Sequence, residues 1–424
     1  MDRTMRKFWI LNHYATTPKT GPMLRHYYFA ECLKEKGLET TVFAANELHQ
    51  TGGCVDTLGK PYLRTEEEGV PFVFVRTSRY QGNGISRVKN MLSFFFGLLR
   101  ICGGYAKKYG KPDVIMGSSA HPLTSIAGIL MGRKFRVPAI VEVRDLWPEA
   151  IFSFGKVKMN SLVGKMLSAG EKWMYIHADA IVFTKEGDVD HIREMGWDTE
   201  HGGRIDLKKC YYVNNGVKLD EYAQSMKRDI LSDPDLESDS FKVVYTGTIR
   251  PVNHVGNLLD AAKLLKEHKN IRFLIFGGGN QLEELKKRAE NEKITNVALK
   301  GYVDKIYIPY ILSRSSVNVL NYSQSQYNWS RGNSSNKLFE YMASGKPVIS
   351  TVKMGYCILD HYQCGLSLEE DTPRALADEI LKIYNMPAEV YTRMSENARK
   401  GARDFDFSVL TERLYQVIKS VERD

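Results

Sequence analysis

The sequence predicts an α/β protein built from two Rossmann-like halves. Short apolar, β-rich runs alternate with longer amphipathic segments, and this pattern starts again at Lys242. At roughly 150 residues per domain, the length of 424 residues predicts two or three domains, and two large ones are expected. Such alternation is typical of parallel sheets flanked by helices. With 43% hydrophobic and 26% charged residues, the composition indicates a folded globular protein and excludes a disordered or fibrous one.

The first half contains five apolar runs that predict buried strands. They are KFWILNH, ETTVFAA, PDVIMGSS, PAIVEVRD and DAIVFTK. Helical spacing of apolar residues predicts helices from Arg25 to Lys36 and from Leu123 onward. The first run follows basic residues, but Asn12 and His13 interrupt it too early for a secretory signal. We therefore expect it to form the first strand.

The second half repeats this organisation after a polar tract. The Asn-Asn-Gly turn near Asn214 and the following Asp-, Ser- and Pro-rich residues predict a domain boundary there. The strands expected beyond it are KVVYTGT, RFLIFGGG, SVNVLNY and PVIST, and the helices are 257–267, 281–290 and 335–344. The expected domains are 1–213 and 214–405. A terminal helix in 406–424 has apolar residues at helical spacing and is expected to pack back on the first domain.

The charge favours an anionic partner. Lys and Arg number 59 against 50 Asp and Glu, a net charge of +9, which suits a nucleotide, a nucleic acid or a phospholipid surface. The segment from Ile85 to Lys111 interleaves the run MLSFFFGLL with basic residues. It predicts either a basic amphipathic helix on an anionic membrane or a buried helix with a solvated basic face. Nucleic acid is not predicted, because the aromatic residues cluster and do not alternate with the basic ones.

Neither a disulfide framework nor a membrane span is predicted. The six cysteines are scattered and form no Cys-x2-Cys pair, which also argues against a zinc site. The most apolar run, residues 91–102, is far shorter than the roughly 20 residues that span a bilayer. We expect a cytoplasmic protein.

The segment NSSNKLFEYMASGKPVIS, residues 333–350, predicts an anion site at the start of a helix. Ser334 or Ser335 is the expected N-cap of the helix, whose N-terminal N–H groups favour a phosphate, and Lys337 in its first turn adds a full charge. Glu340 lies one turn further, where its carboxylate can accept hydrogen bonds from ribose hydroxyls. The alternative is an ordinary capped helix with a Lys337–Glu340 surface pair.

The first half also delivers polar side chains to the carboxyl ends of its predicted strands, where open α/β sheets bind ligands. His121 follows one strand, either as a functional group or as a structural hydrogen-bonding residue. After the next strand come Arg144, Asp145, Trp147 and Glu149, which form either an acceptor site or an ion pair beside a buried ring. The run GGGNQLEE lacks the spacing of a dinucleotide fingerprint, so NAD is not predicted.

At this point the residues resemble a known family. The string KLFEYMASGKPVI, residues 337–349, resembles the donor-binding helix of the retaining GT-B glycosyltransferases of family 4, particularly the capsule and O-antigen branch. EVRDLWPE at 142–149, ADAIVF at 178–183, NGV at 215–217 and YTG at 245–247 are similar to that family in the expected order. The resemblance implies two Rossmann-like domains facing a cleft. The second would hold a nucleotide-sugar and the first an acceptor.

The resemblance also implies roles for particular residues. Gly21 would belong to a glycine loop, Tyr302 and Val303 would lie near the base, and His121, the candidate catalytic residue, would contact the donor sugar or orient the acceptor. The donor-binding residues expected are Gly21, Gly247, Arg250, His254, Tyr302, Val303, Ser335, Asn336, Lys337, Leu338 and Glu340.

Two positions depart from the family pattern. The family often has Glu-x7-Glu, but Gly332 stands eight positions before Glu340, so only the ribose role transfers to Glu340. The loop that usually supplies an Arg and a Lys to the diphosphate here offers Arg250 and His254. Arginine suits a diphosphate because its planar fork binds two oxygens.

The resemblance implies a retaining hexosyltransferase-type enzyme of surface polysaccharide synthesis. The donor would be a nucleotide diphosphate sugar and the acceptor a polyprenyl-diphosphate-linked glycan at the inner face of the cell membrane. No cofactor and no metal are predicted, since Lys337, Arg250 and the helix N-terminus would stabilise the departing diphosphate. The alternatives are a sugar-nucleotide epimerase and a non-catalytic nucleotide-sugar-binding subunit.

Overall fold

The computed structural model describes residues 6–49, 52–82, 84–119, 121–149, 151, 158–324 and 328–422. The chain forms two compact units. The first unit comprises 1–214 and 407–424, and the second unit comprises 215–406. These divisions lie beside the boundaries expected after residues 213 and 405.

In the described part of the first unit, eight strands form one sheet in the order β3-β4-β2-β1-β5-β6-β7-β8. The strands are β1 (Arg6–Leu11), β2 (Leu38–Ala45), β3 (Tyr62–Glu67), β4 (Val70–Val75), β5 (Val114–Ser118), β6 (Ala139–Val143), β7 (Ala180–Phe183) and β8 (Cys210–Tyr212). All neighbours pair in parallel except β3 and β4.

Helices connect these strands and cover the sheet. They are α1 (Arg25–Glu35), α2 (Ile85–Tyr109), α3 (Pro122–Phe135), α4 (Leu162–His177) and α5 (Asp188–Glu194). Two apolar cores lie under them, one around Trp9 and Phe43 and one around Tyr175 and Phe183. Nearly every side chain of the central strands is buried, as in parallel sheets covered on both faces.

The antiparallel hairpin of β3 and β4 was not among the predicted strands. Its two-residue turn consists of Glu68 and Gly69, because Glu67 pairs with Val70. Strand β3 lies at the edge of the sheet and is only partly buried, so its sequence carries a weak apolar signal.

In the residues described for the second unit, six parallel strands form a sheet in the order β11-β10-β9-β12-β13-β14. The strands are β9 (Phe241–Thr246), β10 (Ile271–Phe276), β11 (Val297–Gly301), β12 (Val317–Leu320), β13 (Val348–Ser350) and β14 (Gly365–Ser367). The helices are α6 (Leu219–Arg228), α7 (Pro234–Glu237), α8 (Gly256–Leu264), α9 (Leu282–Asn291), α10 (Ile308–Ser313), α11 (Asn336–Ala343), α12 (Ile358–Tyr362), α13 (Pro373–Tyr384) and α14 (Ala388–Asp404).

The last helix, α15 (Phe407–Val421), belongs to the first unit. It packs on α1, where the ring of Phe407 lies 4.9 Å from that of Tyr28. Its apolar residues, including Leu410 and Leu414, are buried. The fold class predicted from the sequence, an α/β protein with two parallel-sheet domains, is confirmed.

Candidate functional site

Helix α11 of the second unit begins with unpaired backbone donors. Its N-cap is Ser335, but the Ser335 hydroxyl bonds to the hydroxyl of Tyr322 at 2.8 Å and does not cap the helix. Instead, Asn333 Oδ1 accepts the Ser335 N–H at 2.7 Å. The N–H groups of Asn336 and Lys337 have no hydrogen-bond partner among the described residues. This arrangement favours an anion at the start of α11.

The ammonium group of Lys337 lies among tyrosines. Its Nζ is 3.3 Å from the hydroxyl of Tyr245, and it lies 4.8 Å and 4.7 Å from the ring centroids of Tyr245 and Tyr322. No carboxylate of the described residues forms an ion pair with it. Burial opposes its charge, but the neighbouring tyrosines outweigh burial and raise the pKa of Lys337. The group is therefore a cation that carries no countercharge within this part of the structure.

Tyr341 joins α11 to the end of β9. Its hydroxyl accepts the Thr246 N–H at 3.0 Å and lies 3.2 Å from the Thr246 carbonyl oxygen, to which it donates. Gly247 follows directly, and a Cβ atom there would lie 3.0 Å from Lys337 Nζ. The predicted residues Gly247 and Lys337 thus come together beside the N-terminus of α11.

The Gly277–Gly279 segment packs against the loop that follows β9 and contains Gly247. Gly277 has φ +154°, and a Cβ atom on it would lie 1.7 Å from the Gly247 carbonyl oxygen. The Gly247 N–H in turn donates to the Phe276 carbonyl at 2.9 Å. These glycines therefore permit a close contact between two backbone segments.

Glu340 forms a different ion pair from the expected one. Its Oε1 lies 3.4 Å from Nζ of Lys305, which precedes α10, and the alternative Lys337–Glu340 pair is not formed. The Glu340 side chain is 17% exposed. Buried Tyr222 lies near enough for the Glu340 charge to help raise the pKa of its hydroxyl, although burial is the main cause. Lys305 and Tyr222 were not predicted, because they lie far from Glu340 in the sequence.

The other predicted donor residues occupy different environments. Arg250 and Tyr302 are exposed, and Val303 is partly exposed. The His254 ring lies 3.7 Å from Asp371. The Leu338 side chain is buried, and its N–H donates to the Ser335 carbonyl at 3.1 Å. Leu338 therefore helps to seat the helix in the core and offers no free donor.

In the first unit, polar residues gather at the carboxyl ends of the adjacent strands β1, β5 and β6. His121 Nε2 lies 2.8 Å from His13 Nδ1, and His13 Nε2 lies 2.7 Å from Asn90 Oδ1. Asn90 Nδ2 donates to the Ser78 carbonyl at 2.5 Å, so its oxygen faces His13. All three side chains in this chain of hydrogen bonds are buried.

The hydrogen bonds assign a tautomer to each histidine. Asn90 Oδ1 is an acceptor, so His13 carries its proton on Nε2 and accepts at Nδ1. His121 must then donate through Nε2, which leaves a lone pair on His121 Nδ1. That atom is buried and has no hydrogen-bond partner among the described residues. Burial, aided by the charge of Arg87, lowers the pKa of His121 to about 3.

A second network of buried hydrogen bonds is centred on the carboxylate of Glu142. Arg25 Nε and His26 Nε2 bond to the two oxygens of Glu142 at 2.9 Å and 2.8 Å, and the Ser118 hydroxyl donates to Glu142 at 2.6 Å. Arg25 also donates to the carbonyl oxygens of residues 213 and 214, at 2.8 Å and 2.5 Å. Burial opposes the Glu142 charge, but Arg25 and His26 hold the pKa of Glu142 well below its usual value. This network was not predicted.

Two of the four predicted acceptor residues lie close to basic side chains. Asp145 is exposed and lies 3.5 Å from Lys185 Nζ, and Glu149 lies 3.9 Å from His191 Nδ1. Arg144 forms no ion pair with either carboxylate among the described residues. Trp147 is partly exposed. The alternative expected from the sequence, an ion pair of Arg144 with Asp145 or Glu149, is therefore not formed, because the two carboxylates lie against residues after β7.

Gly21 belongs to the loop after β1. Its N–H donates to the Thr17 carbonyl at 3.1 Å, and a Cβ atom on it would lie 3.1 Å from Thr16 Cγ2. The loop is thus closed by its own hydrogen bonds.

Asp-x-Asp triplets, which can share a metal ion, occur at 188–190, 233–235 and 404–406. Both aspartates of the second triplet lie 2.7 Å from Lys300 Nζ, and Asp404 accepts the Tyr362 hydroxyl at 2.7 Å. Across the described ranges, no group of three or more His, Cys, Asp or Glu side chains is arranged to hold a metal ion.

Helix α2 exposes apolar side chains along one face. Phe94 and Leu98 are buried, whereas Ile85, Val88, Leu92 and Phe96 are exposed. Their spacing of three or four residues places the exposed four on one side of the helix, which we call the α2 stripe. Arg100, Lys107 and Lys108 are exposed further along, and α2 contains no acidic residue. None of the described helices is long and apolar enough to cross a membrane.

Comparisons with known proteins agree with this architecture. Residues 20–202 match the family described as "Glycosyl transferase 4-like domain", and residues 226–401 match "Glycosyl transferases group 1". No curated protein sequence gives a significant match.

Solved structures match over nearly the whole chain. Sucrose-phosphate synthase from Thermosynechococcus elongatus superposes with a TM-score of 0.70 at 16% identity, covering 98% of both chains. HepE of Anabaena in complex with UDP-glucose gives 0.64 at 14% identity, covering 98% of this chain and 99% of the other. WaaG, a glycosyltransferase involved in lipopolysaccharide biosynthesis, gives 0.63 at 12% identity, covering 97% and 99%. At these identities the likeness shows a shared fold.

Proposed function

The chain is a glycosyltransferase of the GT-B type, and we propose that it transfers a sugar, with retention of anomeric configuration, from a nucleoside diphosphate sugar to a lipid-linked glycan. The single observation that carries the donor class is the Lys337 ammonium group, which lies without a countercharge beside the free N–H groups of α11. A diphosphate supplies the missing negative charge. The HepE structure with bound UDP-glucose supports the same donor class.

The expected chemistry is electrostatic. As the bond between sugar and diphosphate breaks, negative charge grows on the leaving group, and preorganised cations and N–H groups lower the barrier. Lys337 and the start of α11 would stabilise this charge, with Arg250 as a further ligand. Glu340 would hold the ribose hydroxyls after exchanging its contact with Lys305. Retention rests on the family resemblance.

In the first unit, the lone pair of His121 Nδ1 suits a hydroxyl group that donates a hydrogen bond. A sugar hydroxyl is such a group, whereas an ionised carboxylate or a phosphodiester has no proton to offer. We assign Arg144, Asp145, Trp147 and Glu149 to acceptor binding on their place beside His121 at the carboxyl ends of β5 and β6.

Titration calorimetry with UDP and with uridine tests the donor site. Lys337→Met removes the charge but keeps an apolar stem, so UDP affinity should fall tenfold or more while the weak affinity for uridine stays unchanged. Lys287→Met serves as a control, because Lys287 is an exposed lysine on α9 and lies outside the proposed site. Equal UDP affinities for wild type and Lys337→Met would contradict the proposal.

We further propose that α2 places the protein on an anionic membrane surface, in keeping with a lipid-linked acceptor. The exposed α2 stripe supplies apolar contacts, and Lys107 and Lys108 supply positive charge. Binding to vesicles that contain phosphatidylglycerol should rise with anionic lipid and fall with salt. Lys107→Glu with Lys108→Glu should lower this binding, and unchanged binding would contradict the role of α2.

A further inference from the structure

A second exposed apolar patch lies at the beginning of α4. Met159, Leu162, Val163 and Met166 are 50%, 85%, 49% and 65% exposed. They lie within eight positions, and we call them the α4 tip. Four large apolar side chains so close together are unusual on a protein surface and mark a site of contact with a membrane or with another protein.

Hydrogen bonds and a close backbone contact close the turn at the α4 tip. The Ser161 hydroxyl donates to the Lys158 carbonyl at 2.6 Å, and its oxygen accepts the Gly164 N–H at 3.1 Å. Gly164 packs so closely that a Cβ atom would lie 2.4 Å from the Lys158 carbonyl oxygen. The backbone therefore holds the four side chains in place before any partner arrives, which lowers the entropic cost of binding.

The charges around the α4 tip are of one sign. Lys158 and Lys165 are exposed beside the apolar side chains. The sequence from residue 151 to residue 170 contains no Asp or Glu. An apolar surface flanked only by basic residues is complementary to a bilayer that carries anionic headgroups.

The topology places the α4 tip and the α2 stripe at the same end of the first unit. Helix α2 follows β4 and α4 follows β6, so both begin near the carboxyl ends of parallel strands. Both also pack against α3, which places them in one helical layer. The predicted acceptor residues lie at the same sheet edge.

We propose that the α4 tip inserts into the interface of the bilayer as a second membrane contact. This inference rests on the proposed membrane role of α2 and extends it, because two contacts fix an orientation that one helix leaves free to rotate. The carboxyl edge of the first sheet would then lie near the headgroups, where a lipid-linked acceptor carries its sugar.

Vesicle co-sedimentation at two salt concentrations tests this contact. In 1 M salt the Debye length is about 3 Å, so electrostatic attraction is largely screened and apolar insertion remains. On vesicles of phosphatidylcholine and phosphatidylglycerol, Leu162→Ser with Met166→Ser should lower the binding that persists in 1 M salt by about tenfold or more. Ile230→Ser is the matched control, because Ile230 is a comparably exposed residue (60%) in the second unit.

Three results would overturn the proposal. They are a double variant that binds like wild type in 1 M salt, a wild-type protein that leaves the vesicles completely in 1 M salt, and a wild-type dimer that the double variant converts to a monomer without a change in vesicle binding. The last result would assign the α4 tip to a second copy of the chain. The role of α2 is judged separately, from the Lys107→Glu and Lys108→Glu variant at low salt.

Discussion

Two tyrosine rings determine where the charge of Lys337 lies. Tyr322 is the more informative of the two, because its ring faces the ammonium group and its hydroxyl is bonded to Ser335 at the helix N-cap. A cation over an aromatic ring gains about 0.5–2 kcal/mol, depending on burial. In the proposed donor site, Tyr322 would therefore act on the diphosphate through Lys337, as a positioning residue.

Two substitutions of Tyr322 distinguish the contribution of its ring from that of its hydroxyl. Tyr322→Leu should weaken UDP binding about threefold to tenfold, because Lys337 loses one of the two aromatic rings beside its ammonium group. Tyr322→Phe keeps the ring and should bind UDP within about twofold of wild type. Titration calorimetry measures both, and equal losses in the two variants would show that the hydroxyl, not the ring, positions the cation.

Glu340 allows a similar test of the ribose contact. Glu340→Gln should weaken UDP binding by about 1.5–3 kcal/mol, the range for a hydrogen bond to a charged group. Glu283→Gln on α9 removes a carboxylate that also pairs with a lysine, Lys286 at 3.0 Å, and should leave UDP affinity unchanged. If Glu340→Gln binds UDP as tightly as wild type in calorimetry, the carboxylate does not hold the ribose.

The lowered pKa of His121 makes stability depend on pH. In the unfolded chain His121 titrates near 6.5, but in the folded protein its pKa is about 3. The unfolded state therefore binds a proton first as the pH falls, and the stabilisation is lost between pH 6.5 and 3. From pH 7.5 to pH 5, the free energy of unfolding should fall by about 2 kcal/mol more in wild type than in His121→Gln. Urea unfolding measures this free energy. If it depends on pH in the same way in both proteins, the pKa of His121 is not lowered in the folded state.

At the scale of secondary-structure elements, the loop after β9 depends on the backbone beneath it. Gly277 contacts the Gly247 carbonyl, whereas a Cβ atom at Gly278 would meet nothing closer than Tyr302 Cβ at 3.6 Å. This contrast provides a matched pair of substitutions on adjacent residues.

Gly277→Ala should displace the Gly247 loop, because the added Cβ atom collides with backbone that cannot rotate away. We expect a loss of about 2 kcal/mol or more in the stability of the second unit, together with weaker UDP binding. Gly278→Ala should change the stability by less than about 1 kcal/mol. Thermal unfolding and calorimetry provide the two measurements. Similar effects of both substitutions would show that the glycines are needed for general flexibility and not for this contact.

Strong local patterns made most elements predictable from the sequence. Helix α11 was expected at 335–344 and spans 336–343, because its apolar face, polar start and following Gly345 all agree. The β3–β4 hairpin was missed because β3 is an edge strand with alternating charges. The two histidines show a different difficulty. His13 and His121 are 108 positions apart, so only the fold reveals that they are joined by a hydrogen bond.

At the scale of the whole molecule, the two-sheet architecture was predictable from the alternation of elements alone. The pairing of charged residues was not, since it depends on side-chain positions that no local pattern encodes. Glu340 pairs with Lys305, and Asp145 pairs with Lys185, although nearer partners stand in the sequence. The sequence of α2 is compatible with a core helix and with a membrane-binding helix. The structure gives it both a buried face and the exposed α2 stripe.

We propose that the protein transfers a sugar from a nucleoside diphosphate donor, with Lys337 supplying the charge that a metal ion supplies in other enzymes. The most direct measurement is the stoichiometry of nucleoside diphosphate release and lipid glycosylation, with a panel of donors, a polyprenyl-diphosphate-linked acceptor and excess EDTA. We expect one glycosylated lipid for each diphosphate released, no effect of EDTA, and a loss of at least a hundredfold in Lys337→Met. Conversion of the donor without an acceptor, binding of the donor without turnover, or a loss of activity in EDTA that manganese restores would contradict this metal-independent transfer.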